Sequence, residues 1–386
     1  MTAELRTQQL RGPDSVLALR DSIEELCRDL AYPNIFYEPW FLFPALKHLG
    51  RDKPLHFLCV YETGGGQRLC GFLPLIESRL HPYLPLKTFE AWAHSQCFRC
   101  TPLVRHGFAE QFWRAILSWL EGCPWHRRLL RLRKMPAEGE LWCTLQRALA
   151  ERPSFRRLSF GFDTSFLDIG PSYDETIKMA MSRETRRKIK QMRKRLDKVG
   201  QVTFEDIDDG PPADTVIEEF LHLEASGWKG RSGTALGMDR DEAALYRDVI
   251  RAAYDRKRLT FLSLRLDGRM IAGRCAFMAA TGAFAFKVAY DESFARYSPG
   301  TLLELDELRR LHDPEDRTRA ELTWCDSCAM PGDGPTYRCW PGHMPVARYL
   351  IAPPWTPHAL AIALWSLAGK LRPNRRGARE QADAPA

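Results

Sequence analysis

The chain has 386 residues, 45% hydrophobic and 27% charged, which is the composition of a globular protein with room for two ordinary domains and excludes general disorder. Its formal net charge of +7 is local: Ser182 to Lys198 carries nine Lys or Arg against Glu184 and Asp197, so the chain is not uniformly basic but has one basic element. No stretch approaches the roughly 20 apolar residues of a bilayer-spanning helix.

The first 170 residues read as a series of short elements. Leu19, Ile23, Leu26 and Leu30 give Val16 to Leu30 a helical pattern, and an aromatic-rich segment follows from Asn34 to Leu49. Leu55 to Tyr61 and Leu69 to Ser78 read as strands paired across Gly64-Gly65-Gly66. Lys87 to Trp92, Leu129 to Arg133 and Phe155 to Ile169 are further strands, with helices at Phe108 to Leu120 and Glu140 to Leu149. The basic stretch is a helix with Ile189, Met192, Leu196 and Val199 on one stripe and cations elsewhere. Two readings of it stand: a solvated connector, or a docking surface for phosphates on coenzyme A, an acidic polymer or lipid headgroups. No helix-turn-helix or finger pattern accompanies it, so specific DNA binding is not expected.

Beyond it, Ala213 to Ser226 and Arg240 to Asp255 read as helices. Leu259 to Leu266 and Met270 to Ala280 are strands joined by Asp267-Gly268, a dipeptide suited to a two-residue hairpin. Thr281-Gly282 marks the turn into a third strand, Ala283 to Tyr290. Arg296-Tyr297-Ser298-Pro299-Gly300-Thr301 then opens a helix, with Ser298 expected as its cap and Pro299 at its first position. Unpaired N–H groups and the dipole at such a helix start favour an anion. Glu321 to Cys325 closes as a strand. Helix pair, hairpin, strand, helix and strand thus occur twice. The expected architecture is mixed α/β, with mainly antiparallel sheets and flanking helices, in two similar units at 1–170 and 201–350. A basic linker helix at 171–200 joins them, and an apolar helix with a basic, disordered tail follows at 351–386.

The order of hairpins, strand and phosphate-holding helix resembles the core of GNAT acyltransferases, whose equivalent loop holds the pyrophosphate of acyl-coenzyme A. Tyr297-Ser298-Pro299-Gly300 departs from that superfamily's usual glycine-rich loop and is similar to the variant in CelD-like acetyltransferases. Glu224-Ala225-Ser226-Gly227-Trp228-Lys229-Gly230-Arg231 also resembles a segment of that family. The resemblance implies two GNAT-like units in tandem, the first of them degenerate because Thr101-Pro102-Leu103 and Gly107 offer no phosphate loop. It implies acetyl- or longer acyl-coenzyme A as co-substrate, held by Val288, Ala289 and Tyr290 and by Arg296 to Thr301. The acceptor amine or hydroxyl would meet Trp228, Lys229 and Arg231. Glu224 is the first candidate base and Asp326 the second, Asp326 resembling a family Asp that precedes a Tyr-Lys-x-x-Trp run. That run departs here to Tyr337-Arg338-Cys339-Trp340. Either carboxylate reads equally as a structural partner of Lys229 or Arg231. Family association points to exopolysaccharide or cell-envelope metabolism.

The alternatives are a Fem-type transferase using charged tRNA, which shares the doubled fold, and a non-catalytic protein gripping an acidic polymer or membrane through Arg183 to Lys198. No Gly-x-Ser-x-Gly elbow or Walker loop supports a hydrolase or kinase. Cys97/Cys100 and Cys325/Cys328 read as packing cysteines rather than a zinc site. Eleven cysteines without a visible secretory signal read as reduced thiols in the cytoplasm, with peripheral contact at the inner face of the membrane as an extension. His358 to Leu371 is an apolar helix too short to span a membrane and able either to lie on one or to pack on the body.

Overall fold

The computed structural model describes residues 5–370 apart from 64–66, 81–82, 84–85, 154, 171, 209–211, 314, 317–318, 331 and 333, and gives the backbone alone for 366–370. The glycine turn at 64–66 and the tail expected to be disordered lie outside the described residues.

In chain order the first part contains β1 (Leu5–Arg11), α1 (Arg20–Leu26), α2 (Pro39–Leu49), β2 (Leu55–Glu62), β3 (Arg68–Arg79), β4 (Lys87–Ala91), β5 (Leu103–Val104), α3 (Ala109–Gly122), β6 (Leu130–Pro136), α4 (Gly139–Ala150) and β7 (Arg156–Asp168). The second part contains α5 (Tyr173–Ala180), α6 (Arg183–Leu196), β8 (Val202–Asp206), α7 (Ala213–Ser226), α8 (Trp228–Arg231), α9 (Arg240–Asp255), β9 (Leu259–Leu266), β10 (Arg269–Ala279), β11 (Gly282–Tyr290), α10 (Pro299–Leu311), β12 (Trp324–Asp326), α11 (Pro335–Cys339), β13 (Gly342–Ala352) and α12 (Pro357–Lys370).

These elements form two compact units, but not by halves of the chain. One is Met1–Pro39, Gly50–Gly161 and Pro345–Ala386; the other is Trp40–Leu49 and Phe162–Met344. The expected boundaries at 170, 200 and 350 are therefore corrected. Backbone pairing is the reason for the first exchange, because β13 runs antiparallel to β6 from Val346 opposite Pro136 to Ile351 opposite Leu130. Burial is the reason for the second. Trp40 and Phe41 of α2 meet Phe277 of β10 edge to face, with ring centroids 5.3 and 6.0 Å apart.

In the first unit β1 to β4 form an antiparallel run, β4 and β6 pair in parallel, and β13 follows. Helix α3 lies close on this sheet because residue 71 has no side chain: a Cβ there would sit 2.2 Å from the Phe112 ring. The Trp113 indole donates to Leu141 O at 2.8 Å and ties α3 to α4.

In the second unit the strand order is β7, β12, β11, β10, β9, β8, with β11 and β12 parallel and the rest antiparallel. The first hairpin is as expected, with positive φ at both Asp267 (50°) and Gly268 (81°). The second differs. Its positive φ falls on Ala280 (48°), and Gly282 already belongs to β11, where a Cβ would lie 2.0 Å from the Trp324 ring. Helix α10 covers one face through Leu302, Leu303 and Leu308. Phe220 of α7 and Tyr246 of α9 cover the other, stacked on each other and against Phe261 and Phe286.

Helix α10 is also held by charge. Arg274 of β10 reaches Glu304 at 3.2 Å and Glu307 at 2.9 Å, and Arg319 bridges Glu307 (3.0 Å) to Asp206 (2.8 Å). The Trp340 indole donates to Glu304 at 2.8 Å. Burial pushes the Glu307 carboxyl up, but Arg319 and Arg274 outweigh it and leave it below its ordinary range. Two arginines facing three buried acids fix where the start of α10 sits in the unit.

Candidate active site

The geometry begins with β11. It pairs with β12 only from Gly282 to Phe284, and among the described residues no strand continues along that edge to Tyr290. On its other edge a β-bulge interrupts the ladder, since Cys275 faces Lys287 but Ala276 faces Ala285. The extra residue, Phe286, lets Phe286 and Lys287 both turn to the α7/α9 face. The result is an open strand edge beside a kinked backbone.

The strand leads into a 3-10 turn, Glu292–Tyr297. Ser298 follows in the expected N-cap position, but at φ 51°, ψ 53°, a left-handed conformation, and its hydroxyl makes no capping hydrogen bond. Its carbonyl instead accepts from Thr301 N (3.0 Å) and Leu302 N (3.1 Å), while Pro299 takes the first helical position as expected. The Gly300 N–H is left without an acceptor among the described residues. Around it Tyr290, Ser298, Pro299, Thr301 and Arg338 line a pocket of about 150 Å³. A Cβ at 300 would meet Pro335 at 3.2 Å and Tyr290 at 3.7 Å, so a larger side chain would fill the space. Arg296 is exposed, its guanidinium 4.8 Å from the ring centre of buried Tyr297. Val288 is exposed and Ala289 buried on the same strand end.

The Gly-Trp-Lys-Gly stretch forms a one-turn helix, α8. Residue 230 has to be glycine, because a Cβ would stand 1.8 Å from Ala225 O. The turn is tied to the phosphate-loop side of the unit: Glu292 accepts from Trp228 N at 2.6 Å and pairs with Arg231 at 2.6 Å. The two stretches singled out in the sequence are thus joined through a residue that was not. Trp228 remains 57% exposed.

The candidate bases have different surroundings. Glu224 is buried with both oxygens engaged, one by Lys229 Nζ at 2.7 Å and the other by Leu236 N at 2.8 Å. Lys229 also approaches Val288 O at 3.5 Å. Asp326 is fully buried and accepts from Cys328 N at 2.8 Å, shaping the turn after β12. Lys287, which sequence reading passed over, lies at the bulge. Burial pushes its ammonium down to about 8, the neighbouring Lys229 adds to this, and Glu224 and Glu242 oppose it. Near neutral pH it is poised to exchange a proton.

Helix α6 starts on Ser182, whose hydroxyl accepts from Thr185 N at 3.2 Å, and only Ile189 and Leu196 are buried. It touches the turn that precedes α10. Of its cations, among the described residues only Lys188 and Arg193 pair with acids, Glu184 and Asp197. In the first unit the Cys97 and Cys100 Sγ atoms lie 3.9 Å apart in the core. Among the described residues no group of three His, Cys, Asp or Glu could hold a metal ion, and no helix is long and apolar enough to cross a membrane.

Residues 183–327 match a family of acetyltransferase (GNAT) domains. No curated protein matches the chain. Among solved structures, FemX covers 89% of this chain and 98% of its own length, with TM-score 0.57 and 10% identity. A protein of unknown function from Bacteroides thetaiotaomicron covers 91% and 99%, with TM-score 0.54 and 12% identity. The C-terminal domain of a proposed lysylphosphatidylglycerol synthetase from Agrobacterium fabrum covers 90% and 96%, with TM-score 0.50 and 14% identity. At such identities the likeness is one of fold.

Proposed function

From a chain that carries a GNAT acetyltransferase domain at residues 183–327 within a Fem-like doubled GNAT fold, we propose an enzyme that moves an acetyl or longer acyl group from acyl-coenzyme A to an amine or hydroxyl. The observation that supports this best is the convergence of the open edge of β11 on the start of α10, where Gly300 N–H, Arg338 and a pocket of about 150 Å³ meet. The pyrophosphate suits the helix start and its cations. The pantetheine arm suits the unpaired strand edge from Val288 to Tyr290. The bulge then sets the thioester beside Lys287. Its neutral amine takes the proton of the attacking acceptor, whose nitrogen or oxygen bonds to the acyl carbon as the coenzyme A thiolate leaves. Glu224 is assigned a positioning role through Lys229, and Asp326 a structural one. The acceptor's place in cell-envelope or exopolysaccharide chemistry remains a family-level expectation.

Calorimetric titration with acetyl-coenzyme A tests the reading. Micromolar binding that disappears in Gly300→Leu supports it; an absence of heat with both acetyl- and long-chain acyl-coenzyme A would overturn it. A second reading, a donor delivered on RNA, is favoured by one observation: the many cations of α6 adjoin the turn before α10. In that case acyl transfer would depend on aminoacyl-tRNA and be lost on charge reversal at Lys190 and Lys194.

A further inference from the structure

Helix α12 belongs to the first unit and, among its described side chains, is fastened by one stripe. Thr356 caps it, its hydroxyl accepting from Ala359 N at 3.1 Å, and His358 is fully buried with its ring 3.0 Å from Lys87 O. Ala359 and Ile362 pack into a small cluster with Leu129, Leu350 and Ala352. A helix docked this way ordinarily shows charge on its other side. This one does not. From Pro357 to Gly369 there is no acid, lysine or arginine, and the outward stripe is Leu360, Leu364 and Trp365, 62%, 58% and 53% exposed.

The turn that leads into it adds a stronger sign. Trp355 is 99% exposed and sits at φ 58°, a left-handed conformation that strains a bulky residue. Strain that holds an indole fully in water returns nothing to the fold. A third exposed indole, Trp125, lies on the short turn that α12 touches. The sequence then supplies Lys370, Arg372, Arg375, Arg376 and Arg379 before the next acid, Glu380.

We propose that α12 and the Trp355 turn form a docking surface for the interface of an anionic lipid bilayer. Exposed indoles favour the boundary between headgroup and acyl chain. The uncharged stripe has the character of a helix lying in the membrane plane, and the cations that follow it in sequence complement acidic headgroups. A second copy of the chain would cover the apolar stripe equally but would leave the cationic run without a counterpart. This surface is independent of the acyltransferase reading.

The test is flotation of the full chain with vesicles of phosphatidylcholine alone and with phosphatidylglycerol added. The wild type is expected to float with the anionic vesicles at least tenfold better than with the neutral ones. Trp355→Ser/Leu364→Ser/Trp365→Ser should reduce anionic binding at least tenfold, while Lys190→Glu/Lys194→Glu on α6 should leave it within about twofold. Brominated lipids should quench part of the wild-type tryptophan fluorescence, a readout that needs no variant. The proposal is overturned if the wild type stays in solution with anionic vesicles, if the triple variant floats as well as wild type, or if the α6 variant alone abolishes flotation. It is overturned equally if sedimentation shows a dimer that the triple variant dissolves.

Discussion

Helices α3 and α10 each begin shortly after a strand of their own unit, yet they spend their local charges in opposite ways. Before α3, Gly107 takes the positive φ (79°), the cap position is Phe108 without a side-chain bond, and the nearest cation, Arg105, is buried against Glu25 at 2.5 Å and Asp29 at 3.6 Å. Before α10, the positive φ falls on Ser298, Gly300 keeps its N–H open, and Arg296 and Arg338 are exposed. The same order of elements therefore gives a closed joint in one unit and a receptive one in the other. Among the described residues the first joint commits its cation to ion pairs, and the second leaves Arg296 and Arg338 without acidic partners.

That contrast can be broken from the scaffold first. Arg319→Ala would remove the cation shared by Glu307 and Asp206, leaving Glu307 to Arg274 and Asp206 to the more distant Arg310, and should cost about 3–5 kcal/mol in denaturant unfolding. Gly300→Leu should weaken acyl-coenzyme A by about a hundredfold, roughly 2.7 kcal/mol, with unfolding little changed. Lys287→Met should lower kcat by about a hundredfold while KM for the acyl donor holds. The wild-type rate should rise with pH through about 8 as the amine loses its proton, and the variant's should not. Arg338→Ala should weaken the donor by about tenfold, an effect that fades with salt. The smallest change sharpens the comparison: Arg105→Ala should leave donor affinity untouched and lower stability alone.

Local periodicity carried most of the fold. Helices α7 and α9 and strand β9 fall within the residues the sequence reading assigned, because each has a regular apolar pattern with clear ends. Strand β1, Leu5–Arg11, was missed because it is a polar edge strand, and β13 because Pro345 and Arg348 interrupt its pattern. The site was legible as two motifs and not as one place. Nothing local to Trp228 or Arg231 announces Glu292, some sixty residues away, as the residue that joins them. Lys287 was invisible for another reason. Strict alternation along β11 does not anticipate the bulge that turns it beside Phe286, and the pull on its proton comes from burial and from Lys229.

The exchange of α2 and β13 between the units bears on how the protein is made. Synthesis delivers β1 to β6 early, but the strand that closes their sheet is only present once residue 352 has been added. Until then a growing chain carries β6 as an open edge, liable to pair with a neighbour. Cutting the gene near codon 170 or 200 would make that state permanent, so each half should aggregate more readily than the whole chain.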